Sequence, residues 1–164
     1  MHTKTGIRIT ALLLAVVLIA ADQVTKAWAI SALDGEPPRR LIGGFLQLQL
    51  IYNPGAAFSL GESATWIVTI IAAMLCVALF VLIMRASSAS RALIFATVFA
   101  GGIGNLIDRL TRAPGFGTGH VIDFINYNGW FIGNVADVVL VIGIAALIIS
   151  ELRQSRTQTA EAGQ

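Results

Sequence analysis

Four aspartates stand in or beside apolar stretches of this chain, where an ionised group is expensive: Asp22, Asp108, Asp123 and Asp137. A charge within a membrane span costs ~2.5–3.5 kcal/mol on insertion scales, so such a residue normally faces a bundle interior and has a function. Three amides accompany them: Asn53, Asn105 three residues before Asp108, and Asn134 three before Asp137. Local cations give two of the acids a structural reading. Lys26 follows Asp22 at i+4, on the same helical face, and Asp108 has Arg109 beside it and Arg112 at i+4. Asp123 and Asp137 have no adjacent cation, although His120 precedes Asp123 by three. Two carboxyls about 3 Å apart cannot both ionise, so one keeps a proton while the other acts as base. That arrangement hydrolyses an amide with a water molecule. Four acids allow six pairs, and spacing ranks those pairs without choosing among them. The amides can hold carboxylates or bind a peptide backbone, though each taken singly reads first as a structural hydrogen-bonder.

Other chemistries find little support. No His, Cys and acid cluster has metal-ligand spacing. Cys76 is the single cysteine, lies inside an apolar run, and reads as a small core or lipid-facing residue without an internal disulfide partner. Gly101, Gly102 and Gly104 follow no strand and belong to no GxxxxGK[ST] motif, so they read as small residues for close helix packing. The net charge is +2, with basic residues scattered singly or in pairs, which is no nucleic-acid footprint.

The elements that must position these groups are membrane spans. Of 164 residues, 56% are hydrophobic and 12% charged, with a mean hydropathy of +0.79, too apolar for a soluble domain of this length. Four spans are expected, over about 9–32, 63–84, 92–110 and 129–150. The second has 22 uncharged residues between Glu62 and Arg85, matching the roughly 20 that cross a bilayer core. A rival reading of the first span is a cleaved secretory signal, with Lys4 and Arg8 as its basic region and Ala27-Trp28-Ala29 as its cleavage site. Against it, Asp22 and Lys26 make an ion pair on one helical face. One membrane-embedded domain over 1–153 is expected, followed by a polar, disordered tail over 154–164.

Counting Lys and Arg near the span ends places both termini in the cytoplasm. The inner side then carries Lys4, Arg8, Arg85, Arg91, Arg153 and Arg156, and the outer side Arg39, Arg40, Arg109 and Arg112, with Lys26 near the end of span one. The first outer loop contains Phe45-Leu46-Gln47-Leu48-Gln49-Leu50, whose period of two predicts a short strand. The second, Thr111 to Asn128, predicts a turn and a short extended piece. Asp22 falls late in span one and Asp108 at the end of span three. Asp137, taken as eight residues into span four, lies about 12 Å deep at 1.5 Å per residue. All three fall toward one side of the membrane, with Asp123 in the loop on that side.

Five motifs in order resemble the bacterial lipoprotein signal peptidases (signal peptidase II, aspartic peptidase family A8). They are Asp22-Gln23-Val24-Thr25-Lys26, Tyr52-Asn53-Pro54-Gly55-Ala56-Ala57-Phe58-Ser59, Gly101-Gly102-Ile103-Gly104-Asn105-Leu106-Ile107-Asp108-Arg109, His120-Val121-Ile122-Asp123-Phe124-Ile125 and Asn134-Val135-Ala136-Asp137. One departure stands out: the family commonly has F-P-x-F before N-V-A-D, whereas this chain has Trp130-Phe131-Ile132-Gly133. The change is expected to alter packing where the loop enters span four.

The resemblance implies an all-α integral membrane protein, four transmembrane helices with a small extracytoplasmic β-cradle from the first outer loop. It implies catalytic Asp123 and Asp137, with Asn53, Asn105, Arg109 and Asn134 around substrate and dyad, Asp22 and Lys26 in support, and Asp108 in a structural role. The implied activity is an intramembrane aspartic endopeptidase that needs no cofactor. It would remove signal peptides from diacylglyceryl-modified prolipoproteins, cutting just before the lipidated cysteine, in the bacterial cytoplasmic (inner) membrane. Its partners would be those prolipoproteins and membrane lipids, with no nucleic acid and no obligate protein partner. A small proton- or cation-coupled transporter is the alternative that also keeps acids inside a bundle, but no internal repeat is visible. An assembly subunit would explain apolar spans but not acids and amides gathered on one side.

Overall fold

The computed structural model describes residues 4–55 and 65–162, with side chains to 156. Along the chain these form α1 (Lys4–Leu33), β1 (Arg39–Ile42), β2 (Leu46–Asn53), α2 (Thr65–Arg85), α3 (Ala89–Thr111), β3 (Val121–Asn126), β4 (Ile132–Gly133) and α4 (Val135–Ala162). Each helix contains a stretch long and apolar enough to cross a membrane. Large aliphatic side chains such as Val17 on α1, Met74 on α2 and Val141 on α4 point outward, while the interior is built from small ones: Ala11, Ala15, Ala92, Ala96 and Ala100 around Ile83. That inversion is what a lipid solvent favours, since outward apolar surface is not penalised and small residues let backbones approach.

α3 lies at the centre and packs against α1, α2 and α4. Its glycines make this possible, as expected from their size. A Cβ at Gly101 would stand 2.6 Å from the Ala136 carbonyl oxygen, one at Gly104 2.6 Å from the Asp22 carboxylate, and one at Gly102 2.9 Å from the Cys76 sulfur. Cys76 is a buried core residue. α1 packs as a wall of the bundle: Ala29 is fully buried with Leu33 against Phe124 of β3, and Trp28 meets Phe124 edge-to-face at 6.2 Å.

The four strands form one antiparallel sheet in the order β1-β2-β3-β4. β2 covers the Leu/Gln alternation, as the period predicts. The sheet is not the product of the loop between α1 and α2 alone, however. β3 and β4 come from the second loop, and β3 covers the far edge of β2, placing Ile51 opposite Asp123. An unpaired β2 edge would leave backbone donors and acceptors unsatisfied next to the bilayer.

Two boundaries differ from the sequence expectation. The fourth span does not start at Gly129. Asn128 and Gly129 both have positive φ (55° and 80°), and Trp130 N–H donates to the Tyr127 carbonyl, so the chain turns back as a hairpin. Asn-Gly is the dipeptide that such a turn selects. The helix therefore starts at Val135, and Asp137 lies in its first turn rather than two turns deep. The tail expected to be disordered from 154 instead continues α4 to Ala162. Its first residues are held by Arg91, which donates to Glu151 and Gln154, and by the Ser155 hydroxyl donating to the Glu151 carbonyl. Residues 56–64, which include the end of the Tyr52–Ser59 motif, lie outside the described residues.

Candidate active site

The β3–β4 hairpin brings Asp123 and Asp137 together. β4 pairs with β3 through Ile125↔Gly133 and Asn126↔Ile132, which returns the chain beside Asp123 just as α4 begins. Asn134 is the residue at that junction, and its carbonyl accepts the Val138 N–H. Its side-chain oxygen accepts the Asp137 N–H (3.1 Å) while its own N–H donates to Asp137 Oδ2 (3.0 Å), a reciprocal cap of the helix start. Its Nδ2 then donates to Asp123 Oδ1 (2.7 Å) and to Asn105 Oδ1 (3.1 Å). One asparagine thus holds both carboxylates.

The remaining oxygens are equally committed. Asn53 Nδ2 donates to Asp123 Oδ2 (2.7 Å), and Asn53 is itself fixed because its Oδ1 accepts the Gly55 N–H (2.8 Å). Asn105 Nδ2 donates to Asp137 Oδ1 (2.8 Å). Asp123 is nearly fully buried, and burial is the main reason its carboxyl is pushed up to about 6. The Asn53 and Asn134 hydrogen bonds pull it down and the Asp137 charge pushes it up. A carboxyl poised there exchanges a proton close to neutral pH, as acid–base chemistry requires.

Beneath the dyad lies a buried chain of alternating charge. Lys26 Nζ bridges the buried Asp22 (2.9 Å) and Asp108 (2.8 Å) and gives a third hydrogen bond to the partly buried Asn105 Oδ1 (3.0 Å). Asp108 also takes Arg112 Nε (2.6 Å) and the Ile122 N–H (3.2 Å), so it locks β3 one residue from Asp123. Asp22 accepts the Ala136 N–H (2.9 Å), reaching the N-terminal end of α4 where free amides and the helix dipole favour an anion. The structural pairings read from Lys26 and Arg112 are both present. Arg109, adjacent to Asp108 in sequence, instead donates to the carbonyls of Asn53 and Gly119 (3.1 Å each) and clamps the α1–α2 and α3–α4 connections together.

The candidate site residues Asp22, Lys26, Asn53, Asn105, Asp108, Arg109, Asp123, Asn134 and Asp137 therefore fall in one connected network. Three contributors were not among the candidate site residues. Gln23 Nε2 donates to Asp22 and to the Gly104 carbonyl (3.0 Å each), a role that its place inside the Asp22–Lys26 motif could have flagged. Gly133 and Phe131 are the others. A Cβ at Gly133 would lie 2.5 Å from the Phe131 ring and 2.7 Å from Asp137 Oδ2. The departure at 130–133 therefore has a physical meaning: Gly133 vacates space that the Phe131 ring fills next to the carboxylate. Among the described residues no group of His, Cys, Asp and Glu is placed to hold a metal ion.

The dyad opens on an apolar cleft of about 550 Å³ between α2, α3 and α4. Its lower wall is aliphatic, including Ala72, Leu79 and Leu140, and its upper wall carries Asn53, Asn105, Arg109, Asp123 and Asp137. Pockets that combine apolar walls with a few converging polar groups are the usual form of a ligand site.

Known proteins resemble this chain over most of its length. Residues 14–153 match the family model described as signal peptidase (SPase) II. A lipoprotein signal peptidase of Bifidobacterium adolescentis is 47% identical over 146 residues, covering 88% of this chain and 78% of that one. One from Rhodococcus jostii is 37% identical over 145 residues, covering 88% and 73%. A solved bacterial membrane enzyme superposes with a TM-score of 0.72 at 31% identity, covering 87% of this chain and 92% of the other. A second gives 0.67 at 30% identity, covering 89% of each.

Proposed function

The chain belongs to the signal peptidase II family, and on that premise we propose that Asp123 and Asp137 are its catalytic dyad. It is a multi-pass membrane aspartic peptidase, and the transporter alternative is set aside by the family and by the enzyme fold it shares. The relatives named lipoprotein signal peptidase point to prolipoproteins as substrates. The observation that carries the dyad assignment is the shared hold of Asn134 on both carboxylates at the mouth of the apolar cleft.

In this reading the two carboxyls share one proton and titrate as a unit. The ionised one deprotonates a water, which attacks the carbonyl of the peptide bond before the diacylglyceryl cysteine. The protonated one hydrogen-bonds the developing oxyanion, and the carboxyl that took the water's proton passes it to the departing amine as the C–N bond breaks. Asn53, Asn105 and Asn134 hold the carboxylates in register. Asp22, Lys26 and Asp108 support them from below, and Arg109 fixes the loops above. The bilayer keeps the lipid in place while the bond reaches water at the sheet.

We place both termini in the cytoplasm and the dyad toward the outer face of the bacterial inner membrane. The charge pattern supports this: Lys26 and Arg109 are buried inside the protein, which leaves Arg39, Arg40 and Arg112 on the outer side against Lys4, Arg8, Arg85, Arg91, Arg153 and Arg156 on the inner.

The test is cleavage of a lipidated prolipoprotein by the purified protein, comparing wild type with Asp123→Asn and Asp137→Asn. Each variant should lose about a thousandfold or more in rate while keeping its fold, the scale of removing an acid–base group. Near-wild-type cleavage by either one overturns the dyad.

A further inference from the structure

The two ends of the bundle treat a cation between α1 and α3 differently. Near the dyad, Lys26 of α1 meets Asp108 of α3, and Asp22 lies against Gly104. Both pairings have the same offset in sequence, so the two helices run side by side in the same direction. Eighteen residues make five turns of an α-helix, so the same faces meet again about 27 Å further along. There Arg8 takes the place of Lys26, Lys4 that of Asp22 and Ser90 that of Asp108. The packing keeps this register: Ala11 and Ala15 of α1 share one buried cluster with Ala92, Ala96 and Ala100 of α3, and Ile7 packs against it. Arg8 therefore occupies the position of a bridging cation with no acid to bridge. The first turn of α3 carries no acid, and Arg8 Nε is buried with no hydrogen-bond partner among the described residues. Arg91 repeats the pattern: it donates through Nη2 to Glu151 (3.2 Å) and Gln154 (2.6 Å) on α4, while its Nε is buried without a partner. Among residues with described side chains, Glu151 is the one acid at this end, against Lys4, Arg8, Arg85, Arg91, Arg153 and Arg156.

A guanidinium nitrogen taken from water without an acceptor costs free energy that an incoming anion recovers. We propose that this end of α1 and α3 binds the phosphate headgroup of an anionic phospholipid, held by Arg8 and Arg91 with Lys4 at the rim. Arginine presents its donors as a planar fork that matches phosphate oxygens, and basic pockets between spans are where anionic headgroups bind. Two features favour a lipid over a soluble phosphate. Arg8 directly precedes the apolar run of α1, which sets its charge at headgroup level. Ile9, Leu13 and Val16, beside it on α1, turn outward and give the acyl chains an aliphatic track. The site lies at the opposite end of the bundle from Asp123 and Asp137 and does not depend on the peptidase reading.

The experiment titrates the full chain in a neutral detergent with phosphatidylglycerol, phosphatidylcholine or inorganic phosphate. Native mass spectrometry counts bound molecules, and thermal unfolding is followed in parallel. Phosphatidylglycerol should saturate one site and raise the unfolding temperature, while the other two at equal concentration do neither. Arg8→Gln should weaken phosphatidylglycerol binding about fivefold or more, the scale of one arginine at a membrane surface. In lipid-free detergent the same variant should unfold at the wild-type temperature or above, because a cation without a partner has been removed. Arg156→Gln removes an equal charge from an exposed position on α4 and should change binding less than twofold. An equal loss in Arg156→Gln assigns the binding to general surface charge and overturns the site. An equal response to phosphatidylcholine overturns the need for net negative charge, and an equal response to inorganic phosphate overturns the lipid. Arg8→Gln that unfolds well below wild type without lipid gives Arg8 a structural partner in the protein, and the proposal falls.

Discussion

Asn134 and Asp137 cap each other: the Asn134 side chain accepts the Asp137 N–H at 3.1 Å, and the Asp137 carboxylate accepts the Asn134 N–H at 3.0 Å. The device that starts α4 is therefore the one that orients a catalytic candidate. Helix capping and site geometry are the same hydrogen bonds, and substitutions can separate them.

Asn134→Ser keeps an oxygen for the cap but removes the amide that reaches Asp123 and Asn105. Serine caps about as well as asparagine, so stability should change by less than about 0.5 kcal/mol. Cleavage should fall by about a hundredfold, as expected when a group that orients an acid–base pair is lost. Asn134→Ala should lose a further ~1 kcal/mol of stability. Thermal unfolding in detergent, measured beside cleavage rate, separates the two. If the serine variant keeps wild-type cleavage, the amide is not positioning Asp123.

Asp123 should titrate near pH 6 in the folded protein, visible as loss of a protonated-carboxyl stretch by infrared difference spectroscopy. Asn53→Ala removes a hydrogen bond that favours the ionised form, so the midpoint should rise. Asp137→Asn removes a negative neighbour, so it should fall. The linkage sign follows: with its value raised from 3.8 to about 6, the folded state retains a proton that the unfolded chain releases. This contribution to stability is complete below 3.8 and is lost as pH rises through about 6. Midpoints that do not move in either variant would show that the carboxyl does not sense these neighbours.

Lys26→Met should be the most destabilising single change, because it strands Asp22 and Asp108, both buried. Breaking a buried pair costs about 3–5 kcal/mol, here offset in part by Arg112 on Asp108. Adding Asp22→Asn to Lys26→Met should recover part of the loss by removing one uncompensated charge. Unfolding temperatures of the single and double variants decide it, and a double variant no more stable than the single one removes the charge explanation.

Gly133→Ala should disturb the site more than the fold. The added methyl meets the outer edge of the Phe131 ring and one Asp137 oxygen, both ends of side chains rather than backbone. The ring can swing away at small cost, so stability should fall by less than about 1 kcal/mol while cleavage drops about tenfold. A large loss of stability with unchanged specific activity would place the constraint in the backbone.

The spans, the strand at the Leu/Gln alternation and the pairing of Asp22 with Lys26 were legible because they depend on local regularities: apolar length, a period of two, and an i+4 spacing. The set of polar residues was legible for the same reason, since each stands out against an apolar background. The choice of Asp123 and Asp137 from among six pairs came from the family motifs rather than from spacing.

What the chain alone determined is which residues are costly to bury and that they gather toward one and the same side of the bundle. Only the tertiary structure decided who meets whom. The Asn128-Gly129 turn moved the start of α4 to Val135, so Asp137 lies in the first turn. There the Asn134 cap and the Asp22 carboxylate satisfy the helix's open amides. Arg109, beside Asp108 in sequence, clamps loop carbonyls, and Lys26 reaches from α1 to Asp108 on α3. The physical reason is that apolar periodicity constrains one element at a time. The partners of a buried polar group are set by the packing of several elements, under the requirement that each donor and acceptor removed from water be satisfied.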